Sequence, residues 1–285
     1  ITSYSLSSAG DIKKGYKVKY DVMKNDNGAY TITTIGPLEP GEYAFVADFT
    51  GSRSEPSKVR FFDFGIDEEF DEPIAIATDS NDNIYVLDID KHRISKYTEP
   101  AAPNLKPVFL QSVCKEGNKP GELKSPQRIA IGQDNLIYIA DTDNHRIQVF
   151  DTEGNLIKTC GKKGKKDGEM KEPHGIAIGD DGAIYVTDNG NRRILKFDKN
   201  GNLISKFGSK KELSSDMMAI AIDAKGNIYV VDNNKHSVVV FNQKGEVVKT
   251  IGKKGKAEGY MNDPSDIAID QNGNIYIVDS DNIRV

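Results

Sequence analysis

Tryptophan is absent from this chain, and there are only two cysteines, Cys114 and Cys160. Two thiols cannot build a disulfide framework, and their spacing fits free, buried side chains better than a bridge. Four histidines leave little material for an imidazole-rich metal centre. No apolar run approaches the roughly 20 residues a membrane helix needs; stretches such as Val238-Val239-Val240-Phe241 are strand-sized. A formal charge of −5 is too small to draw in nucleic acid or an anionic membrane by bulk electrostatics. No Gly-x-Ser-x-Gly nucleophile phrase and no phosphate-binding Walker loop occurs. The first residue is Ile1, which fits a start that has been processed or cut, so targeting cannot be read from it.

What the chain does have is repetition. Ile84-Tyr85-Val86-Leu87-Asp88 returns as Ile137-Tyr138-Ile139-Ala140-Asp141, Ile184-Tyr185-Val186-Thr187-Asp188, Ile228-Tyr229-Val230-Val231-Asp232 and Ile275-Tyr276-Ile277-Val278-Asp279, at steps of 53, 47, 44 and 47 residues. Eight residues before each Ile-Tyr lies a second short apolar phrase: Ile76-Ala77-Thr78, Ile129-Ala130-Ile131, Ile176-Ala177-Ile178, Ile220-Ala221-Ile222 and Ile267-Ala268-Ile269. Third runs such as Arg146-Ile147-Gln148-Val149-Phe150 alternate polar and apolar residues, as half-exposed strands do. Turns rich in Asp, Asn and Gly separate the runs, because these residues tolerate positive φ and bond their own backbone. Short strands repeated at a period in the forties predict an all-β propeller, with one four-stranded sheet per repeat around a central axis.

The phrases Pro173-His174-Gly175-Ile176, Ile184-Tyr185-Val186-Thr187-Asp188 and Asn144-His145-Arg146-Ile147 resemble the NHL repeat family over about residues 68 to 285. The resemblance implies an NHL-type β-propeller of five visible repeats, five- or six-bladed. The last repeat stops at Asn282-Ile283-Arg284-Val285, inside its third strand. We therefore expect a segment of a longer chain that continues into a sixth blade. In the alternative, Lys58 to Gly65 supplies the missing strand and closes a five-bladed ring, hiding the edge. Residues 1–67 lack the repeat and read as a small antiparallel β module, similar to accessory domains of bacterial secreted or envelope proteins.

Candidate chemistry is thin. Asp88, Asp141, Asp188, Asp232 and Asp279 recur in every repeat, as do His92, His145 and His236 in three, so the simpler role for each is architectural. In the related peptidyl-hydroxyglycine amidating lyases, zinc is held by histidines of Pro-His phrases from several blades. The matching positions here are Ile74, Gln127, His174, Met218 and Ser265, and one imidazole cannot hold a catalytic zinc. Lactonase-like propellers use axial carboxylates, for which Asp266 alone qualifies. We expect no catalytic residues, no metal site and no cofactor.

Gln127, Arg128, His174, Met218, Ser265 and Asp266 would line the mouth of the axial channel. Lys162, Lys163, Lys165, Lys166, Lys253, Lys254 and Lys256 would form a basic rim on the Gly-rich connectors. Single-stranded RNA is the least favoured partner: the connectors supply only Tyr260 for stacking, and Asp167, Glu169, Glu172 and Glu258 dilute the charge. The reading that follows is a non-catalytic scaffold, extracellular or in the cell envelope, that binds a protein, peptide or glycan. A metal-assisted lyase or hydrolase over the channel is the alternative.

Overall fold

The computed structural model describes residues 70–98, 107–270 and 272–285, together with the backbone of four strands nearer the N-terminus. Those four are β1 (Lys17–Lys24), β2 (Tyr30–Leu38), β3 (Glu42–Val46) and β4 (Phe61–Gly65). They form two antiparallel pairs, β1 with β2 and β3 with β4. Glu42 faces Gly65 across the second pair, so one edge of β4 is taken by β3.

Beyond them the described residues form four complete four-stranded antiparallel blades and part of a fifth. The first holds β5 (Pro73–Thr78), β6 (Ile84–Asp88), β7 (Arg93–Tyr97) and β8 (Phe109–Val113). The second holds β9 (Pro126–Ile131), β10 (Ile137–Asp141), β11 (Arg146–Phe150) and β12 (Leu156–Cys160). The third holds β13 (Pro173–Ile178), β14 (Ile184–Asp188), β15 (Arg193–Phe197) and β16 (Leu203–Phe207). The fourth holds β17 (Met217–Ile222), β18 (Ile228–Asp232), β19 (Ser237–Phe241) and β20 (Val247–Ile251). The fifth has β21 (Pro264–Ile269) and β22 (Ile275–Asp279), with Arg284 opposite Asp279 where a third strand starts.

Within each full blade the strands pair in chain order, and the first strands β5, β9, β13, β17 and β21 pack against one another in succession. This is the axial wall of a propeller. Burial falls from the second strand outward: β10, β14 and β18 are wholly buried, while β20 is mostly exposed.

The apolar cores lie between blades. Tyr138, Ala140, Ile147 and Val149 of the second blade meet Ile176, Ile184, Val186 and Leu195 of the third. The third and fourth blades share Tyr185, Ile194, Ile228 and Val230, and the fourth and fifth share Val231, Val238 and Ile267. Each blade alone has two greasy faces and no independent core, which is why the unit must repeat. Close approach near the axis explains Gly175. A Cβ there would sit 3.2 Å from the backbone of Ala219 in the next blade.

Polar side chains clip the blades internally. Asp141, fully buried at the end of β10, accepts from the Lys124 amide at 2.7 Å, from Asn144 and Gln148, and from Arg146 Nε at 2.6 Å. The Arg146 guanidinium then donates to the carbonyls of Asn118, Lys119 and Glu122, pinning the connector. Asp188 with Arg193 and Asp279 with Arg284 repeat the arrangement. In the fourth blade Ser237 replaces the arginine. There Ser214 bonds Asp232, and Lys235 Nζ donates to the Lys211 and Glu212 carbonyls. The recurring aspartates therefore hold the scaffold.

The recurring histidines latch neighbours. His92, His145 and His236 each sit in the left-handed region, at φ 50°, 57° and 50°. Their Nδ1 atoms accept 3.1 Å bonds from the amides of Ser125, Glu172 and Asp263 in the following blade. An accepting Nδ1 must be unprotonated, so each latch belongs to the neutral ring.

Candidate functional site at the axial mouth

Each first strand opens with a distorted pairing to its second strand, at Pro126–Arg128, Pro173–Ile176, Met217–Ala219 and Pro264–Asp266. The irregularity leaves the second residue of the strand without a ladder partner, the position of Gln127, His174, Met218 and Ser265, while Arg128 and Asp266 follow it opposite Ala140 and Val278.

The geometry gathers several of these residues. Arg128 is 6% exposed. Its Nη2 donates 3.0 Å to the Ser265 carbonyl, linking the second blade to the fifth across the axis. Its Nη1 donates to the Gln127 carbonyl at 3.2 Å. Among the described residues Nε is buried without a partner, and no carboxylate lies within ion-pair distance of the guanidinium. In the same strand position the other blades carry Ala75, Gly175, Ala219 and Asp266, so Arg128 is the one long side chain of that column.

His174 Nδ1 lies 3.0 Å from the Met218 carbonyl. A carbonyl only accepts, so Nδ1 carries the proton and Nε2 holds the lone pair. Burial, reinforced by the Arg128 charge, pushes the imidazole pKa down to about 3. His174 is neutral at physiological pH. Ser265 Oγ bonds Ser280 Oγ at 2.7 Å, and Asp266 turns one carboxyl oxygen back on the Ile267 amide. Gln127, His174, Met218 and Asp266 are half-buried, so the mouth is open to solvent at these side chains. Groups of three or more His, Cys, Asp or Glu with metal-site geometry do not occur among the described residues.

Three further side chains that sequence reasoning missed hold this mouth. Thr142 donates to the Pro173 carbonyl at 2.6 Å, Thr187 to Met217 and Asn233 to Pro264, each reaching the next blade's first strand. Their signal was a polar residue at or just past the end of an otherwise apolar second strand.

Two of the seven rim lysines have a side-chain partner. Lys162 pairs with Glu169 at 3.7 Å, and Glu169 also caps the amides of Lys165 and Lys166. Lys253 lies 4.5 Å above the Tyr260 ring, and Asp167 pairs with Lys206. Lys163, Lys165, Lys166, Lys254 and Lys256 stay exposed. The sole connector aromatic is thus covered by a lysine.

This arrangement of radially packed blades around a polar axial mouth defines a propeller protein. Residues 116–221 and 213–285 match the family described as 6-bladed beta-propeller, and the chain belongs to that family. Among solved structures it resembles a catalytically inactive virginiamycin B lyase from Staphylococcus aureus with quinupristin, at 15% identity and TM-score 0.58 over 98% of this chain and 87% of that one. A protein of unknown function from Bacteroides caccae is similar at 13% identity and TM-score 0.57, over 84% and 83% of the two chains. A gluconolactonase from Xanthomonas campestris is similar at 15% identity and TM-score 0.51, over 72% and 68%. At these identities the likeness is one of fold. One curated relative, protein brain tumor of Drosophila melanogaster, is 35% identical over 72 residues, which is 24% of this chain and 7% of that protein's length.

Proposed function

We propose that this chain is a binding scaffold of NHL type within the 6-bladed beta-propeller family, presenting its connector face and axial mouth to a protein, peptide or glycan. The observation that carries the reading is Arg128: a buried guanidinium anchored on two backbone carbonyls, with donor capacity left over at the centre of the ring. Such a group is preorganised to hold a ligand and has no proton to exchange at ordinary pH. The match to the NHL-containing protein brain tumor supports the repeat type. Residues 1–67 would be a separate β module acting as spacer or second surface, and the setting would be extracellular or the cell envelope.

The test is to probe the purified chain on peptide and glycan arrays. Retention should fall at least tenfold in Q127A or H174A, stay unchanged in K244A on the far turn, and return the ligand chemically intact. Recovery of a cleaved or rearranged ligand would overturn the reading.

A second reading rests on the lone pair of His174 Nε2, which suits a metal ligand. It is a metal-assisted lyase or hydrolase. Stoichiometric zinc or calcium in the purified protein, lost in H174A, would favour it over the scaffold.

A further inference from the structure

Resting on the binding reading, we propose that the axial mouth is a carboxylate subsite, in which Arg128 receives a singly charged planar anion borne by the ligand. The argument begins with an unbalanced charge. Arg128 is 6% exposed, yet its guanidinium meets only neutral carbonyls, those of Gln127 and Ser265. A buried cation without a counter-ion is costly, and a buried donor without an acceptor adds to that cost. Three other arginines of this fold carry an acid on that atom: Arg146, Arg193 and Arg284 each donate Nε to an aspartate at 2.6, 2.7 and 2.8 Å. Arg128 has the same fork and meets no such acid among the described residues.

The donors that remain are Nε–H and one hydrogen on each Nη. The Nε edge and an adjacent Nη form the side-on fork that fits both oxygens of a carboxylate. Around it stand groups that accommodate one negative charge and discourage two. His174 is neutral and adds no second cation. Asp266, beside Ser265, is the acid among the mouth residues, and its carboxyl is turned onto the Ile267 amide. A dianion such as phosphate would meet repulsion from Asp266 with only one cation to offset it. Gln127, His174 and Met218 of the same mouth are half-buried and bring no charge.

The experiment is calorimetric titration of the whole chain with N-acetylglycine, glucuronate, inorganic phosphate and the neutral N-acetylglycinamide. N-acetylglycine or glucuronate should bind at least tenfold more tightly than the amide and than phosphate. Preference for the first assigns a peptide terminus as the source, and preference for the second a sugar acid. R128Q should lose tenfold or more, R128K should recover part, and D266N should bind at least as well as the wild type. Because R128Q removes a cross-axis bond, a readout on the unaltered protein is included: the His174 ring 15N signals should move with N-acetylglycine and not with the amide. Equal affinity for acid and amide, or R128Q binding as wild type, overturns the proposal. Array ligands that still bind at the mouth without carboxylate preference would sink this inference alone. A ligand consumed during binding would sink the scaffold reading and leave the carboxylate preference standing.

Discussion

Replacing Arg146 with alanine should be among the most damaging single changes in the second blade. The side chain is 10% exposed and its partner Asp141 is fully buried. Truncation removes the 2.6 Å bond to Asp141 and the donors to the Asn118, Lys119 and Glu122 carbonyls. Breaking a buried ion pair from one side costs about 3–5 kcal/mol. Asp141 keeps the Lys124 amide, Asn144 and Gln148, which argues for the lower end, about 3 kcal/mol. For a chain of this size that is a fall in Tm of roughly 6–12 °C. Circular dichroism melts and urea titrations of R146A, R193A and R284A provide the assay. R284A should cost at most about 1 kcal/mol, since its side chain is 37% exposed and well screened. Burial already pushes the Asp141 carboxyl above its ordinary value. Without the arginine it will rise further, so the R146A deficit should shrink as pH is lowered and the stranded carboxylate takes a proton. An R146A protein within 1 kcal/mol of wild type, or an R284A protein equally damaged, would refute this account of the recurring Asp–Arg pair.

Other outcomes follow from buried ionisable groups. His174 has its pKa lowered from 6.5 to about 3, so the unfolded chain binds the extra proton first; stability contributed above pH 6.5 is lost progressively as pH falls toward 3, on the order of 4 kcal/mol in full. H174Q should flatten that acid limb of the unfolding curve, and an unchanged limb would contradict it. Burial and the neighbouring Asp134 push Tyr138 up to about 12. In a tryptophan-free chain the phenolate absorbance is clean, and Y138F should delete one late-titrating tyrosine from the alkaline curve. Burial, with Asp141 nearby, pushes the Cys114 thiol up to about 12, and Cys160 is shifted in the same direction. Both should react slowly with a thiol reagent in the native protein and rapidly after unfolding; a fast native phase would show that one of them is reachable.

Much of the fold was legible in the residues because its strands repeat in register. Ile-Tyr ends on a buried Asp in every blade, and each Ile-Ala phrase pairs with it as the spacing required. The tyrosine has a local reason: Tyr85, Tyr229 and Tyr276 each bond the aspartate that opens their own turn, and Tyr138 bonds Asp134 inside its turn. The site was harder to read. That Arg128 would reach Ser265, 137 positions away, depends on ring geometry and on small neighbours such as Gly175 and Ala219. The histidine latches were hidden for another reason: their donors are backbone amides of the next blade, which carry no side-chain signature. The lysines read as a rim from spacing alone, while the acid or ring that occupies Lys162 and Lys253 emerges only from the folded connectors.

The irregular pairing at the head of each first strand has a consequence for how such proteins diversify. Two adjacent stretches of the same strand answer to different masters. Ile176-Ala177-Ile178 and its counterparts are locked by ladder partners and by the neighbouring seam, so their identity is dictated from within. Two residues upstream, Ile74, Gln127, His174, Met218 and Ser265 share a position yet range from apolar side chains to an amide, an imidazole and a hydroxyl. Substitution there can retune what enters the ring's centre without reopening the question of how the ring is built.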